Sequence, residues 1–215
     1  MLLVDNWRAK LLIKQKEQKG EKDLKNITKQ EFLIEQKDRL NLSKHKPICL
    51  WFEGLSGSGK STLINHLDQY LVKNNFHTYV LDGDNLRLGL NSDLGFSDND
   101  RIENLRRAAE VAALMVDSGL LVLAGFITPN EAQRKLIRSK FKKGQFIEIF
   151  ISTPLEVCEK RDVKGLYKKA RDGEIENFTG ISSPFETPQN AEISIDTSIK
   201  SICECIDTII SYLRL

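Results

Sequence analysis

Short apolar runs alternate with longer amphipathic stretches along the chain from residue 46 onwards. One run, Leu120–Ala124, has no polar alternation, as expected of a parallel strand that is covered on both faces. Strands that alternate with helices indicate an α/β fold. We therefore predict a parallel sheet sandwiched by helices, with strands at Ile48–Phe52, Thr78–Leu81, Leu120–Ala124, Phe146–Ile151 and Glu192–Ile195.

Four helices are predicted, at Lys60–Lys73, Ser97–Ser118, Glu131–Lys140 and the C-terminus. Ser97, with Asp100 three residues later, is typical of a capped helix start, and Gly119 ends that helix. The C-terminal helix is predicted to place one apolar stripe against the core, made up of Ile199, Ile202, Cys203, Ile206, Ile209, Ile210 and Leu213.

Residues 1–45 have a different pattern, because 18 of these 45 residues are charged and neither proline nor a strand pattern occurs. Two apolar clusters, Leu11–Ile13 and Phe32–Ile34, are candidates for short helices. Three interpretations stay open: a solvated, partly ordered tail, a helical arm packed on the rest of the chain or on a partner subunit, and attachment to a membrane surface through lysines. We predict a charged N-terminal extension over residues 1–45 and one domain over residues 46–215.

The charge of the chain is unevenly distributed. Residues 1–45 carry 11 Lys and Arg against 7 Asp and Glu, a balance of +4, so residues 46–215 total −2 within the overall +2. The basic character therefore belongs to the extension and does not predict a nucleic-acid partner. The chain is 40% apolar and 29% charged, and no apolar run approaches the roughly 18 residues of a membrane span, so no membrane partner is predicted.

The first residues, MLLVDNWRAKLLIKQK, lack the long apolar core and small-residue cleavage site of a secretory signal. The four cysteines, at positions 49, 158, 203 and 205, show no CxxC spacing and no matching histidine pair. We therefore expect reduced thiols and a cytoplasmic location.

The segment GLSGSGKS at residues 54–61 lies between a predicted strand and a predicted helix. Its pattern is Gly54, four residues, Gly59, Lys60 and Ser61, which is typical of a loop whose backbone N–H groups wrap nucleotide phosphates. Lys60 would reach the β- and γ-phosphates, the Ser61 hydroxyl would bind Mg²⁺, and the helix N-terminus would face the anion. The pattern predicts the P-loop NTPase fold.

Carboxylates and arginines follow the second predicted strand, in LDGDNLRLGLNSDLGFSDNDRIENLRR (81–107). Asp82 and Asp84 come at the carboxyl end of that strand, where they can orient a Mg²⁺-bound water or accept a proton from a substrate hydroxyl. Arg87 and Arg101 can hold an anionic acceptor. For Arg106 and Arg107, an ordinary surface role is an equally good interpretation.

The motifs from residue 46 to the C-terminus closely resemble those of adenylylsulfate kinases. They are GLSGSGKST (54–62), the 81–107 segment, FITP (126–129), RDVKGLYKKARDGEIENFTGI (161–181) and SPFETP (183–188), in the order of the family. The resemblance covers about four-fifths of the chain. It implies that ATP phosphorylates the 3′-hydroxyl of adenosine 5′-phosphosulfate to give the activated sulfate donor PAPS. It also implies a homodimer.

The resemblance implies roles for the matching residues. Lys60, Asp84 and Thr128 are implied as catalytic, with Asp84 as the base or orienting group. The ATP phosphates and Mg²⁺ would be bound by Gly54, Leu55, Ser56, Gly57, Ser58, Gly59, Lys60, Ser61 and Thr62. The acceptor would be bound by Asp82, Asp84, Asn85, Arg87, Phe96, Arg101, Asn104, Ile127, Thr128, Lys164 and Phe178. Within that set Phe96 and Phe178 would sandwich the adenine.

The segment 161–181 is predicted to be a lid. It is rich in Lys and Arg between residues 161 and 171, and Gly165 and Gly173 permit it to close and exclude water, the competing acceptor. Lys164 would enter the site from this lid. From the residues alone, Phe178 fits a core position at least as well as a stacking position.

Several positions depart from the family pattern. Thr128 stands where serine is usual, Gln133 stands where an aspartate precedes Arg134, and Leu88 replaces a polar or aromatic residue. These positions are expected to border the acceptor pocket. Three alternatives therefore stay open: a kinase of a related anionic nucleotide or other small metabolite, a nucleotide-dependent switch, and a nucleotide-binding module without turnover. The Asn-Lys-x-Asp stretch of guanine-specific switches is absent from the sequence.

Overall fold

The computed structural model describes residue 28, residues 30–43 and residues 45–215. The chain forms two units, Met1–Leu33 and Ile34–Leu215. In the described part of the first unit Phe32 and Leu33 are exposed, and the predicted cluster Leu11–Ile13 lies outside the described residues. All helices and strands named below belong to the second unit. Among the described residues, none of the helices has both the length and the apolar character that crossing a bilayer requires.

Five strands form a parallel sheet, as predicted. They are β1 (Ile48–Glu53), β2 (Thr78–Asp82), β3 (Leu121–Phe126), β4 (Phe146–Ile151) and β5 (Ile193–Ile195). Their spatial order is β2-β3-β1-β4-β5, so β1 occupies the centre. Trp51 in β1 pairs in register with Ala124 of β3 and with Glu148 of β4. Both β1 and β3 are buried along their whole length, because helices cover both faces of the sheet.

The described helices flank this sheet. They are α1 (Gln36–Leu40), α2 (Lys60–Lys73), α3 (Gly83–Arg87), α4 (Asp98–Asp117), α5 (Glu131–Arg138), α6 (Leu155–Arg161), α7 (Leu166–Arg171) and α8 (Ile202–Leu213). The predicted start of α4 is confirmed, because the Ser97 hydroxyl accepts a hydrogen bond of 3.2 Å from the backbone N–H of Asp100.

Three predicted details are wrong. Three residues of the predicted stripe of α8, Ile199, Ile202 and Cys203, are exposed, whereas Cys205, which the stripe left out, is buried together with Ile209. The cause is a later helix start, since Ser201 and Glu204 form a capping box that leaves Ile199 in the preceding turn. The first described helix begins at Gln36, so the exposed cluster Phe32–Ile34 precedes it. Strand β3 ends two residues later than predicted.

The core has one layer on each side of the sheet, because successive side chains of β1 point to opposite faces. Leu50 and Phe52 pack with the buried faces of α2 and α8. Cys49 and Trp51 pack with α4 and α5. The sheet is thereby fixed between helices, and the carboxyl ends of β1 and β2 lie together at one edge.

Helix α1 contacts the same unit through Gln36. Its Nε2 donates to the Val116 carbonyl over 2.9 Å, and its Oε1 accepts from Gln145 Nε2 over 2.9 Å. These bonds hold α1 against α4 and against Gln145, the residue that precedes β4. The division between an extension over 1–45 and a domain over 46–215 stays a prediction.

Candidate active site

The loop between β1 and α2 has the backbone conformation that its glycines predicted. Gly54 has φ of 144°, and a Cβ there would lie 2.6 Å from the Ile151 carbonyl oxygen. Gly59, with φ of 101°, is the N-cap residue of α2. A side chain at either position would be strained by its φ, and at Gly54 it would also collide with backbone. A glycine-rich loop with this backbone conformation beside a helix N-terminus is a suitable site for phosphate.

The Lys60 ammonium lies within this loop. It donates to the carbonyl oxygens of Gly54 and Leu55 over 2.9 and 2.7 Å. Burial lowers the pKa of Lys60 to about 8, against an ordinary value of 10.5, because the charged form loses hydration. A phosphate beside Lys60 would raise this pKa again, because its negative charge stabilises the ammonium.

Ser61 and Asp82 join the phosphate loop to the end of β2. The Ser61 hydroxyl donates to Asp82 Oδ2 over 3.3 Å, while Asp82 Oδ1 accepts from the backbone N–H groups of Asp84 and Asn85 over 3.0 and 3.3 Å. Asp82 thus caps α3 and fixes the direction of the following residues. Asn85, predicted to bind the acceptor, is exposed on this short helix.

A hydroxyl and a carboxylate side by side fit Mg²⁺, which prefers oxygen ligands and keeps several of its waters. Ser61 and Asp82 supply these donors next to the phosphate loop. Among the residues that the structure describes, no group of three or more His, Cys, Asp and Glu could hold a metal ion. Two oxygen donors beside a phosphate loop fit a cation that a bound nucleotide would also help to hold.

The predicted base and the predicted lid lysine contact each other. Lys164 Nζ forms an ion pair with Asp84 Oδ2, although the two residues are 80 positions apart. Both side chains are more than 60% exposed. The hydrogen bond to Asp84 raises the pKa of Lys164, so this ammonium stays charged at neutral pH. Gly165, beside it, has φ of 65° and open space around its Cα.

Arg87 and Arg101, both predicted to bind the acceptor, contact Phe96. The Arg87 guanidinium carbon lies 4.6 Å from the centre of the Phe96 ring, and Arg101 Nε donates to the Phe96 carbonyl over 2.8 Å. Arg101 also reaches Thr179, in the segment predicted to be a lid, over 3.4 Å. Burial, and then the nearby Arg101, lower the pKa of Arg87. Phe96 is 67% exposed, so its ring face is available to a planar ligand.

Asn104 lies deeper than these arginines. It is buried on α4 and its Oδ1 accepts a hydrogen bond of 2.9 Å from Asn91 Nδ2. Farther along the helix Arg106 and Arg107 bind Glu103, and Arg107 also binds Asp93. These contacts favour an ordinary surface role for the last two arginines.

Phe178 is only 8% exposed and packs in a cluster with Cys158, Tyr167 and Ala170. Its ring meets that of Tyr167 edge to face, with centroids 5.0 Å apart. This is the core position that the residues alone favoured. A sandwich of adenine between Phe96 and Phe178 stays a prediction.

Thr128 is fully buried, and Ile127 beside it is partly buried. The Thr128 hydroxyl accepts a hydrogen bond of 2.9 Å from Trp51 Nε1, and its carbonyl accepts one of 2.9 Å from Arg134. These contacts give Thr128 a structural role in fixing its loop. A catalytic role for its hydroxyl stays a prediction.

Two charged residues near Thr128 were missed by sequence reasoning. Glu53 ends the apolar run of β1, where a fully buried carboxylate was not expected, and neither of its oxygens has a hydrogen-bond partner within the part of the chain that the structure describes. Burial, followed by the charge of Glu148, raises the pKa of Glu53 to about 9. Arg134 was noted only as the remaining part of a motif. The signal that could have found Glu53 is a single acid directly before a glycine-rich loop.

The chain was compared with protein-family models and with known proteins. The model of the adenylylsulphate kinase family matches residues 46–196. An adenylyl-sulfate kinase of Marinobacter nauticus is 52% identical over 191 residues, which are 89% of this chain and 96% of that protein. One of Shewanella pealeana is 57% identical over 180 residues, 84% of this chain and 88% of that protein.

A solved structure is similar as well. The APS kinase of Mycobacterium tuberculosis, in complex with AMPPNP and APS, superposes with a TM-score of 0.76 at 47% identity. The alignment covers 79% of this chain and 99% of that one. Both the fold and the sequence of the second unit are therefore similar to those of a protein that binds an ATP analogue and adenosine 5′-phosphosulfate.

Proposed function

The chain belongs to the adenylylsulfate kinase family, and we propose that it transfers the γ-phosphoryl group of ATP to the 3′-hydroxyl of adenosine 5′-phosphosulfate, giving PAPS and ADP. The observation that carries this proposal is the hydrogen bond between Ser61 and Asp82. It joins the loop suited to a triphosphate to the carboxylates suited to a second nucleotide's ribose.

Phosphoryl transfer requires that the acceptor oxygen lie in line with the bond that breaks. A bond forms between the 3′-oxygen and the γ-phosphorus, the bond between the γ-phosphorus and the β–γ bridging oxygen breaks, and ADP leaves with that electron pair. The hydroxyl proton passes to the Asp84 carboxylate and from there to solvent. Asp84 orients the hydroxyl, and Lys60 spreads the charge that accumulates on the γ-phosphoryl oxygens.

The charged groups around Asp84 are proposed to bind the acceptor. Arg87 and Arg101 hold its phosphosulfate end, since guanidinium groups bind such oxyanions with two parallel hydrogen bonds. Lys164 joins them from the lid, exchanging its contact with Asp84 for one with the acceptor. Phe96 stacks on the adenine, with Phe178 on its other side after a movement of the lid. Lid closure excludes water, which otherwise competes as acceptor.

Mg²⁺ is assigned to Ser61 with Asp82 nearby, on the basis of their oxygen donors. When bound, the ion neutralises part of the charge on the β- and γ-phosphates. The remaining loop residues, from Gly54 to Thr62, contribute backbone N–H groups and the Thr62 hydroxyl.

The proposed assembly rests on the family resemblance, and the proposed location rests on the reduced thiols expected from the cysteine pattern. We propose a homodimer in the cytoplasm, with residues 1–45 as an appendage to the kinase domain. Size-exclusion chromatography with light scattering of the full chain tests the first point, and a monomer at all concentrations would contradict it.

The test of the function is an ADP-release assay with purified protein, ATP, Mg²⁺ and adenosine 5′-phosphosulfate, repeated without the acceptor and with a panel of other anionic nucleotides and sugar acids. Release that depends on adenosine 5′-phosphosulfate, with 3′-phosphorylated product identified by mass spectrometry, is expected. Faster release with another acceptor, or ATP binding without any release, would overturn the proposal. Asp84→Asn and Lys60→Ala should each lower turnover by orders of magnitude.

A further inference from the structure

A cluster of buried charged side chains lies beside the loop that carries Thr128. It joins Glu53 of β1, Arg134 of α5 and Glu148 of β4, whose side chains are 0%, 4% and 8% exposed. Arg134 Nε lies 3.9 Å from Glu53 Oε1, 3.8 Å from Glu148 Oε1 and 3.2 Å from Glu131 Oε2. A charge buried this completely persists only with partners, so the position of the Arg134 guanidinium is strongly restricted.

Arg134 also holds the backbone of the neighbouring loop. Its NH1 group donates to the Thr128 carbonyl over 2.9 Å in a fully buried bond. The Thr128 hydroxyl is held from β1 by Trp51. The carbonyl and the hydroxyl of Thr128 are therefore both bonded to the protein interior, the first through α5 and the second through the central strand.

The same cluster reaches the phosphate loop. Glu53 and Trp51 are two residues apart on β1 and so point to the same face of the sheet. Glu53 directly precedes Gly54, the first residue of the phosphate loop. Arg134 thus lies between Glu53, the residue before the phosphate loop, and the Thr128 carbonyl. A displacement of the guanidinium would change the distance between the loop at 127–130 and the phosphate site.

The protonation of Glu53 leaves Arg134 free for this role. Because burial keeps the pKa of Glu53 near 9, this carboxyl is neutral at physiological pH and takes little of the arginine's charge. The charge is balanced by Glu148 and Glu131, on β4 and on the same helix. Arg138, the other arginine of α5, lies outside the buried cluster, since its side chain is 37% exposed, and it bonds Glu148 and Glu192.

We propose that Arg134 is a positioning residue for the acceptor: it fixes the loop of Ile127 and Thr128 relative to the phosphate loop. The inference rests on the proposed kinase function. Arg134 contacts neither substrate in this assignment and acts through the loop carbonyl. Since a displacement of about 1 Å in a reacting pair can lower rates about a hundredfold, loss of the contact should impair use of the acceptor. ATP binding depends on other residues and should be retained.

The test compares Arg134→Met with Arg138→Met as a matched control in the full-length protein. Both variants remove a guanidinium of α5 that pairs with Glu148, but only the first removes a bond to Thr128. The ADP-release assay, with each substrate varied in turn, should show that Arg134→Met raises the KM for adenosine 5′-phosphosulfate about tenfold or more. The KM of Arg134→Met for ATP should stay within about twofold of the wild-type value. Both KM values of Arg138→Met should stay within the same range.

A second measurement does not depend on activity. Amide hydrogen exchange over peptides covering 126–132, recorded without substrates, should be faster in Arg134→Met than in Arg138→Met and wild type. If Arg134→Met does not fold, Arg134→Lys is used, because an ammonium keeps the charge but cannot bond Glu131 and Thr128 together in the fork geometry of arginine.

Four outcomes are decisive. Unchanged KM for adenosine 5′-phosphosulfate in the Arg134 variant, or an equal rise in both KM values, would overturn the inference. Unchanged exchange over 126–132 would overturn it independently of any turnover. If the wild type releases no ADP with adenosine 5′-phosphosulfate, the proposed function fails, while the exchange experiment still decides whether Arg134 fixes this loop.

Discussion

Lys60 should take up a proton when the triphosphate binds, because its pKa is low in the protein alone. The ammonium is held by the carbonyls of Gly54 and Leu55, and burial brings its pKa to about 8. A triphosphate adds negative oxygens beside it and favours the charged form. Binding should therefore return the pKa to about 10.5 or above, the ordinary value of a lysine.

The size of the effect follows from these two values. With a pKa that rises from about 8 to about 10.5, the uptake is about 0.1 proton at pH 7, about 0.5 at pH 8 and about 0.9 at pH 9. The same depressed pKa affects stability: the unfolded chain binds more protons than the folded chain between about pH 8 and 10.5. The contribution of Lys60 to stability therefore rises with pH across that window and is least favourable below it.

Isothermal titration calorimetry measures the uptake, when a non-hydrolysable ATP analogue is titrated in buffers of different ionisation enthalpy at each pH. Lys60→Arg is the matched control, since a guanidinium stays charged throughout this range. Proton exchange by the nucleotide itself is common to both proteins and cancels in the difference. Equal uptake by wild type and Lys60→Arg at pH 9, or a difference that does not grow with pH, would refute the reasoning.

Three further perturbations test other parts of the structure. Phe178→Leu should raise the KM for adenosine 5′-phosphosulfate more than that for ATP; equal changes in a steady-state assay would count against adenine stacking. Lys164→Ala should likewise weaken acceptor use, and an unaffected acceptor KM would remove this lysine from the site. Ser97→Ala should lower the free energy of unfolding by about 1 kcal/mol in urea titrations, because α4 loses its cap, and an unchanged midpoint would contradict that role.

The sequence was most informative where structure is determined locally. The bounds of α2 and β4 were predicted correctly, and so was the cap of α4 at Ser97. Helix periodicity, capping residues and glycines with positive φ act over a few positions, so they are visible in a linear sequence. The phosphate loop was predictable for the same reason.

Contacts between remote residues could not be derived in this way. The bond between Trp51 and Thr128 joins residues 77 positions apart, and Arg101 reaches Thr179 across 78 positions. Glu53 could be recognised as an acid at a strand end, but its burial against Arg134 depends on how α5 packs on the sheet. Thr128 was named as a site residue from family resemblance and Arg101 from its place after the second strand, and the structure adds the partners that hold them.

The departures from the family pattern can now be judged by what each side chain contacts. Thr128 uses its hydroxyl as an acceptor for Trp51, and serine or threonine supplies that oxygen equally well. Leu88 is 86% exposed, so its side chain packs little against the rest of the protein. Gln133 has a buried Oε1 without a hydrogen-bond partner among the described residues. Of the three departures, only Gln133 changes a buried polar group, and it neighbours Arg134. A changed acceptor preference would therefore be expected to arise through this helix and the loop it holds.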